Sequence, residues 1–303
     1  MSHDVHQRDP HHSSAKAQAL SLQAKPYFIV SDIDHTLLNE HGDLVGANKL
    51  ALQEAIAQGD IVILATARSY IGALDIYKEL GLNTPLIVNN GTVICDAEGY
   101  IIRSVAIAPP MAERVFEMFR QTPYHWAIRI NDTAHLHPDF DRSNRHFQNE
   151  RFYRPLDFIH LEETLGDFDD VVSISLFGDA SMQQFYSQHD WEAMGLKPSY
   201  YPPSHYDSRE TMSVISAEAN KGKAVAWLRQ AMGLDDSPTL LMGDSPDDIT
   251  MFHLGIGVAP SNASGSALKA SDWIGPSSNE GLVAAAMKRF VFKERQKKAS
   301  KAA

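Results

Sequence analysis

The chain of 303 residues has one cysteine, Cys95, so no internal disulfide can form. It fits a reducing compartment, with the cytoplasm the expected location. Long hydrophobic runs are also lacking. Stretches such as Ile61-Val62-Ile63-Leu64-Ala65 are strand-sized, far short of the ~20 residues of a membrane span, and no membrane contact is expected. Positive charge is scarce, with 27 Lys and Arg against 38 Asp and Glu and a formal net charge of -11. Phosphate backbones reward clustered cations and repel an acidic surface, so nucleic acid is not expected as a partner and small molecules or proteins are. There is no internal repeat and no low-complexity array. The first 24 residues lack the apolar core of a signal peptide and read as a flexible tail. Its histidines, His3, His6, His11 and His12, have no fixed metal-ligand spacing. What the chain does have is 44% hydrophobic residues, enough to bury a core in one large domain or two ordinary ones.

Short apolar runs alternate with helical patterns. Tyr27-Phe28-Ile29-Val30 reads as a buried strand. Ala47 to Gln58 carries Leu50, Leu52, Ala55 and Ile56 and stops before Gly59, as a helix does. Ile61 to Ala65 is a second strand. Ile71, Leu74 and Tyr77 then mark a second helix ending before Gly81, and Leu86 to Val88 is a third strand. Such alternation implies right-handed crossovers and a doubly wound, Rossmann-like parallel sheet of the α/β class. From Thr92 the rhythm changes to a hairpin around Gly99, followed by helix Met111 to Arg120, strands Trp126 to Ile130 and Val171 to Phe177, and helix Met182 to His189. Extended pieces at Tyr200-Tyr201 and Thr211 to Val214 complete an α+β insert. The first rhythm resumes with a helix from Lys221, a buried strand Thr239 to Met242 and a short strand Ile256 to Val258. Residues 25–90 and 213–303 are therefore expected to form the core, and 91–212 the insert. The basic stretch from Lys288 to Lys301 reads as a solvated helix end.

Three of these strands end in polar residues: Asp32 and Asp34, then Thr66, then Asp244 with Asp247 and Asp248. Neighbouring parallel strands bring such ends side by side, in the crevice where open α/β sheets bind ligands. Carboxylates gathered there repel unless a cation sits among them, and oxygen-only ligands suit a hard ion such as Mg²⁺. Lys221, at a helix start, would join the metal in neutralising a phosphate.

In order along the chain, Asp32-x-Asp34-x-Thr36, Thr66-x-Arg68, Lys221-Gly222 and Gly243-Asp244-x-x-x-Asp248 resemble the four motifs of the haloacid dehalogenase superfamily. The insert resembles the large α/β cap of its Cof-type branch, which includes sugar-phosphate phosphatases. Gly257-Val258-Ala259, Asn262-Ala263 and Asn279-Glu280-Gly281 resemble the closing segments of that branch. The resemblance implies that Asp32 is the nucleophile and forms an aspartyl-phosphate, with Asp34 as general acid and then base. It implies a Mg²⁺ held by Asp32, the backbone carbonyl of Asp34, and Asp244, with Asp248 orienting a water or standing behind the ligands. Thr66, Ala67 and Lys221 would bind the phosphate oxygens. The implied activity is hydrolysis of small phosphorylated metabolites such as sugar phosphates. A phosphomutase of similar architecture is the alternative, and a non-catalytic phospho-ligand sensor a more distant one.

Three departures from the pattern stand out: His35 and Ala67 replace common glycines, and Asp247 replaces a common asparagine. His35 either reaches the leaving group or packs against the cap. Asp247 either tightens the metal site or caps the helix that follows. Lys223 is the alternative to Lys221 as phosphate ligand. Specificity is expected from Arg68 and Asn90 at the core strand ends and from Arg145 and Arg151 in the insert, where Arg142 to Arg154 mixes arginines with aromatics. His135-x-His137 lacks the third ligand of a zinc site.

Overall fold

The computed structural model describes residues 25–131, 133–139, 158–160, 168–179, 182–201 and 209–302. In chain order its strands are Phe28–Ser31 (β1), Ile61–Leu64 (β2), Leu86–Val88 (β3), Val93–Cys95 (β4), Ile101–Ser104 (β5), His125–Ile130 (β6) and Thr133–Leu136 (β7). Phe158–His160 (β8), Val171–Gly178 (β9), Leu196–Tyr201 (β10), Glu210–Ser216 (β11), Thr239–Met242 (β12), Ile256–Pro260 (β13) and Trp273–Gly275 (β14) follow.

Five strands form an all-parallel sheet in the order β14-β13-β12-β1-β2, with β1 between β2 and β12. Alternation along these strands sends side chains to two apolar layers. Ile29, Val62, Leu64, Leu240 and Met242 lie in one, with residues of helices Gly46–Ala57, Tyr70–Leu80 and Leu282–Met287. Phe28, Val30, Ile63 and Leu241 lie in the other, against helix Lys221–Ala231 and the short helix Ile249–Phe252. Both faces are covered, as a parallel sheet joined by helical crossovers requires. This is the doubly wound core expected from the sequence.

The hairpin begun at Thr92 exists, but its strand β4 pairs antiparallel with β3 as well as with β5. A bridge from Ala65 to Ile87 links β3 to the end of β2, and Val93, Ile94 and Cys95 are buried in the layers of the parallel sheet. A third apolar cluster belongs to the six-stranded sheet β10-β11-β9-β6-β7-β8, where Trp126, Ile128, Ile174, Leu176, Met212 and Val214 meet Val115, Phe116 and Phe119 of helix Pro109–Arg120. Among the described residues no helix is long and apolar enough to cross a membrane.

The basic C-terminal segment is helical at Lys293–Ala302 but is not wholly solvated. Arg295 bonds to the fully buried Asp60 carboxylate and to Gln58, and lies over the Tyr27 ring.

Candidate active site

The position of β1 explains why distant residues meet. Ser31 pairs with Leu64 on one side and Met242 on the other, so Asp32, Ala65-Thr66 and Gly243-Asp244 leave the sheet together. The Asp32 N–H donates to the Met242 carbonyl at 2.9 Å, and the Ala65 N–H to the Ser31 carbonyl at 2.9 Å.

Lys221 stands at the centre of the cluster and is 2% exposed. Its Nζ lies 2.9 Å from Asp32 Oδ1 and 2.6 Å from Asp248 Oδ1. Asn220 caps the helix that carries it, accepting from the Lys223 N–H at 2.7 Å, so the chain enters the helix with Lys221 directed at the strand ends. Lys223 pairs with exposed Glu218 instead.

Asp248 is fully buried and organises the loop after β12. Its Oδ2 accepts from the Asp244 N–H at 3.0 Å, the Ser245 N–H at 2.9 Å and the Ser245 hydroxyl at 2.7 Å. The loop is compact because Gly243 has no side chain: a Cβ there would lie 2.3 Å from Asp248 Cβ. Ser245 and Asp248 form the capping box at this helix start. Asp247 is therefore not the cap, one of the two roles open to it from the sequence; its carboxylate pairs with Lys197 of β10 at 2.5 Å.

Asp32, Asp244 and Asp248 offer carboxylate oxygens that all lie within 4.8 Å of one another. Burial is the largest influence on Asp32, and with Asp248, Asp244 and Asp34 nearby it raises the Asp32 pKa well above the ordinary value despite Lys221. Burial and Asp248 push Asp244 up to about 6, opposed by the Thr36 hydroxyl, Lys221 and His35. Burial works against the charge on Lys221, but Asp248 and Asp32 outweigh it and raise its pKa. With all three carboxylates ionised against one ammonium the cluster carries two negative charges, and every convergent acceptor is a hard oxygen. That donor set fits a divalent cation. The Thr36 hydroxyl donates to Asp244 Oδ1 at 3.1 Å and fixes this carboxylate from the β1 side.

The Asp34 carboxylate lies outside this trio and is held by Arg68. Nε donates to Asp34 Oδ2 at 2.8 Å and Nη2 to Oδ1 at 2.5 Å, a bidentate fork from a guanidinium whose side chain is 3% exposed. Nη1 donates to the Gly72 carbonyl at 3.1 Å. Arg68 thus orients the second acid, a partnership not read from the sequence. Thr66 is buried beside it, its hydroxyl accepting from the Arg68 N–H at 3.1 Å, while Ala67 between them is exposed. The Asn90 N–H donates to the Thr66 carbonyl at 3.0 Å, which draws the turn after β3 to the same crevice.

His35 is exposed, with φ of 54° in the left-handed region. The common glycine at this place suits that conformation, which a histidine adopts at modest cost. Arg145 and Arg151, with the rest of the Arg142 to Arg154 stretch, lie outside the described residues. His137 Nδ1 accepts from the Asp139 N–H at 3.1 Å, and among the described residues no histidine joins a metal-ligating cluster. Lys197 escaped the sequence reading altogether, because nothing local announces that a lysine in one sheet will meet an acid in the turn after a strand of another.

The sequence matches the family profile of haloacid dehalogenase-like hydrolases over residues 29–287. It is 23% identical to phosphatase YwpJ of Bacillus subtilis over 291 residues, covering 87% of this chain and 99% of that protein. Pyridoxal phosphate phosphatase YbhA of Escherichia coli is 27% identical over 247 residues, covering 78% of this chain and 88% of that one. The solved structure of a sugar phosphatase of HAD subclass IIB superposes with a TM-score of 0.70 at 19% identity, covering 88% of this chain and 98% of that one. With the profile match spanning most of its length, the chain belongs to the haloacid dehalogenase-like hydrolases of the Cof type, and it is a phosphoric monoester hydrolase.

Proposed function

We propose that this enzyme is a Mg²⁺-dependent phosphatase of small phosphorylated metabolites, sugar phosphates among them, working in the cytoplasm through an aspartyl-phosphate. The observation that carries the reading is the buried cluster in which Lys221 bridges Asp32 and Asp248 beside Asp244. Asp32, the Asp34 backbone carbonyl and Asp244 would hold the Mg²⁺, with Asp248 behind them. The ion, when bound, supplies positive charge that offsets the carboxylates and the incoming phosphate.

In the first step Asp32 attacks phosphorus, an Asp32–phosphorus bond forms, and the bond from phosphorus to the ester oxygen breaks. The leaving oxygen takes a proton from Asp34. In the second step water attacks the aspartyl-phosphate, gives its proton to Asp34 and releases inorganic phosphate with Asp32 restored. Lys221, Thr66 and the backbone at Ala67 would meet the phosphoryl oxygens with donors already in place. Arg68 holds Asp34 in one orientation, so the shuttle is positioned rather than free. Specificity is assigned to His35 and Asn90 and to Arg145 and Arg151 of the insert; Arg68, expected among them, is instead committed to Asp34.

We assign residues 25–104 and 217–303 to the catalytic core and place the insert between them, because β11 runs to Ser216 within the six-stranded sheet. The pairing of β4 with β3 favours a first boundary after Ser104 rather than at residue 91. The relatives named above support a small phosphomonoester substrate. The test is a panel of phosphomonoesters incubated with purified protein and Mg²⁺, with and without a chelator. Chelator-sensitive phosphate release supports the proposal, an isomerised sugar without free phosphate supports a mutase, and finding neither product contradicts both.

A further inference from the structure

We propose that Lys197 is a positioning residue: its ion pair with Asp247 registers the six-stranded sheet over the carboxylate cluster, and the enzyme uses that registration to hold its substrate. Lys197 is the second residue of β10, whereas Asp247 lies between cluster members Asp244 and Asp248. The contact is 2.5 Å long, and the two side chains are 33% and 26% exposed. A pair this sheltered is screened less than an exposed one.

The catalytic end of this link is rigid. The Asp247 carbonyl accepts from the Thr250 hydroxyl at 2.9 Å, and that oxygen accepts from the Gly222 N–H at 3.0 Å, next to Lys221. Gly222 is packed so closely that a Cβ would lie 2.0 Å from the Thr250 carbonyl oxygen. Ser245 already supplies the helix cap, which leaves the Asp247 carboxylate available to the other sheet. A neutral residue at 247 would make no such ion pair. The chain from Lys197 through Asp247 and Thr250 to Gly222 therefore connects the six-stranded sheet to the helix bearing the cluster's ammonium.

This inference rests on the phosphatase reading, and its test separates the two. Lys197→Met keeps the aliphatic stem, and Asp247→Asn keeps the shape. Each is expected to raise KM for a released phosphomonoester about three- to tenfold with kcat within about twofold, and the double variant to be no worse than either single one. Unchanged KM in both single variants, multiplying losses in the double variant, or a kcat loss with KM unchanged would overturn it. Hydrogen exchange supplies a readout independent of turnover: amides of residues 196–201 and 245–250 should exchange faster in Lys197→Met than in the wild type. Equal exchange there overturns the proposal even if the phosphatase reading stands. If the wild type releases no phosphate, that reading fails while the exchange comparison still decides whether the pair registers the two parts.

Discussion

At the residue scale the site is a balance of buried charges, and Lys221 carries most of it. Its removal would leave Asp32 and Asp248 buried without their shared cation. Lys221→Met is therefore expected to lower the stability of the metal-free protein by about 3–5 kcal/mol, measured by urea unfolding, because an unpaired buried charge costs far more than the pair contributes. Asp244 makes a prediction about pH. Its folded pKa of about 6 lies above the ordinary 3.8, so the native state holds this proton more tightly than the unfolded chain does. The associated stability is fully present below pH 3.8 and is lost as pH rises through about 6; the raised pKa of Asp32 acts in the same direction. Metal-free protein should thus lose stability across this window, while apparent Mg²⁺ affinity, measured by calorimetry, should rise, since the ligands must be deprotonated to bind. A Mg²⁺ affinity flat from pH 4.5 to 7 would contradict the assignment of Asp244. Sequence could nominate these acids because each follows an apolar strand. It could not reveal that Arg68 holds Asp34, or that Asp247 turns to Lys197, since those partners are 34 and 50 residues away.

At the element scale, the alternation of strand and helix was readable because buried strands are short apolar runs and helices end at glycine. Gly59 and Gly81 have φ of 85° and 72°, as those helix ends require. Short strands whose partners are remote were harder. Thr133–Leu136 and Trp273–Gly275 carry little pattern of their own and are fixed by pairing with β6 and β13. The hairpin after Thr92 was legible, but its attachment to β3 was not, because register with a third strand leaves no local mark. The helix beginning at Lys221 offers the test at this scale. Gly222→Ala would drive a Cβ into the Thr250 backbone, so the helix or the loop after β12 must shift. We expect a loss of about 1–3 kcal/mol in stability, together with reduced turnover, because the same helix sets Lys221. Wild-type stability and activity in this variant would show that the close approach is dispensable.

At the scale of the whole molecule, topology does the assembling. A central β1 flanked by β2 and β12 makes three strand ends adjacent, and the motifs acquire meaning only in that order. Parallel pairing was inferable from alternation and right-handed crossovers, whereas the strand order and the docking of the C-terminal helix were not. A run of basic residues looks like a solvated surface until one of them, Arg295, meets an acid buried at the far end of the chain. Arg295→Ala should strip Asp60 of its cation and lower stability by about 1–3 kcal/mol, with a matching drop in Tm but little change in kcat, because the contact is remote from the cluster.

The central claim is that Asp32 attacks phosphorus, and it is tested most directly by comparing phosphate release from wild type and Asp32→Asn with Mg²⁺ present. Circular dichroism would confirm that both are folded. The account predicts that release falls by about 10³-fold or more in the variant. Release within about tenfold of wild type would contradict it, because an amide cannot replace the attacking carboxylate.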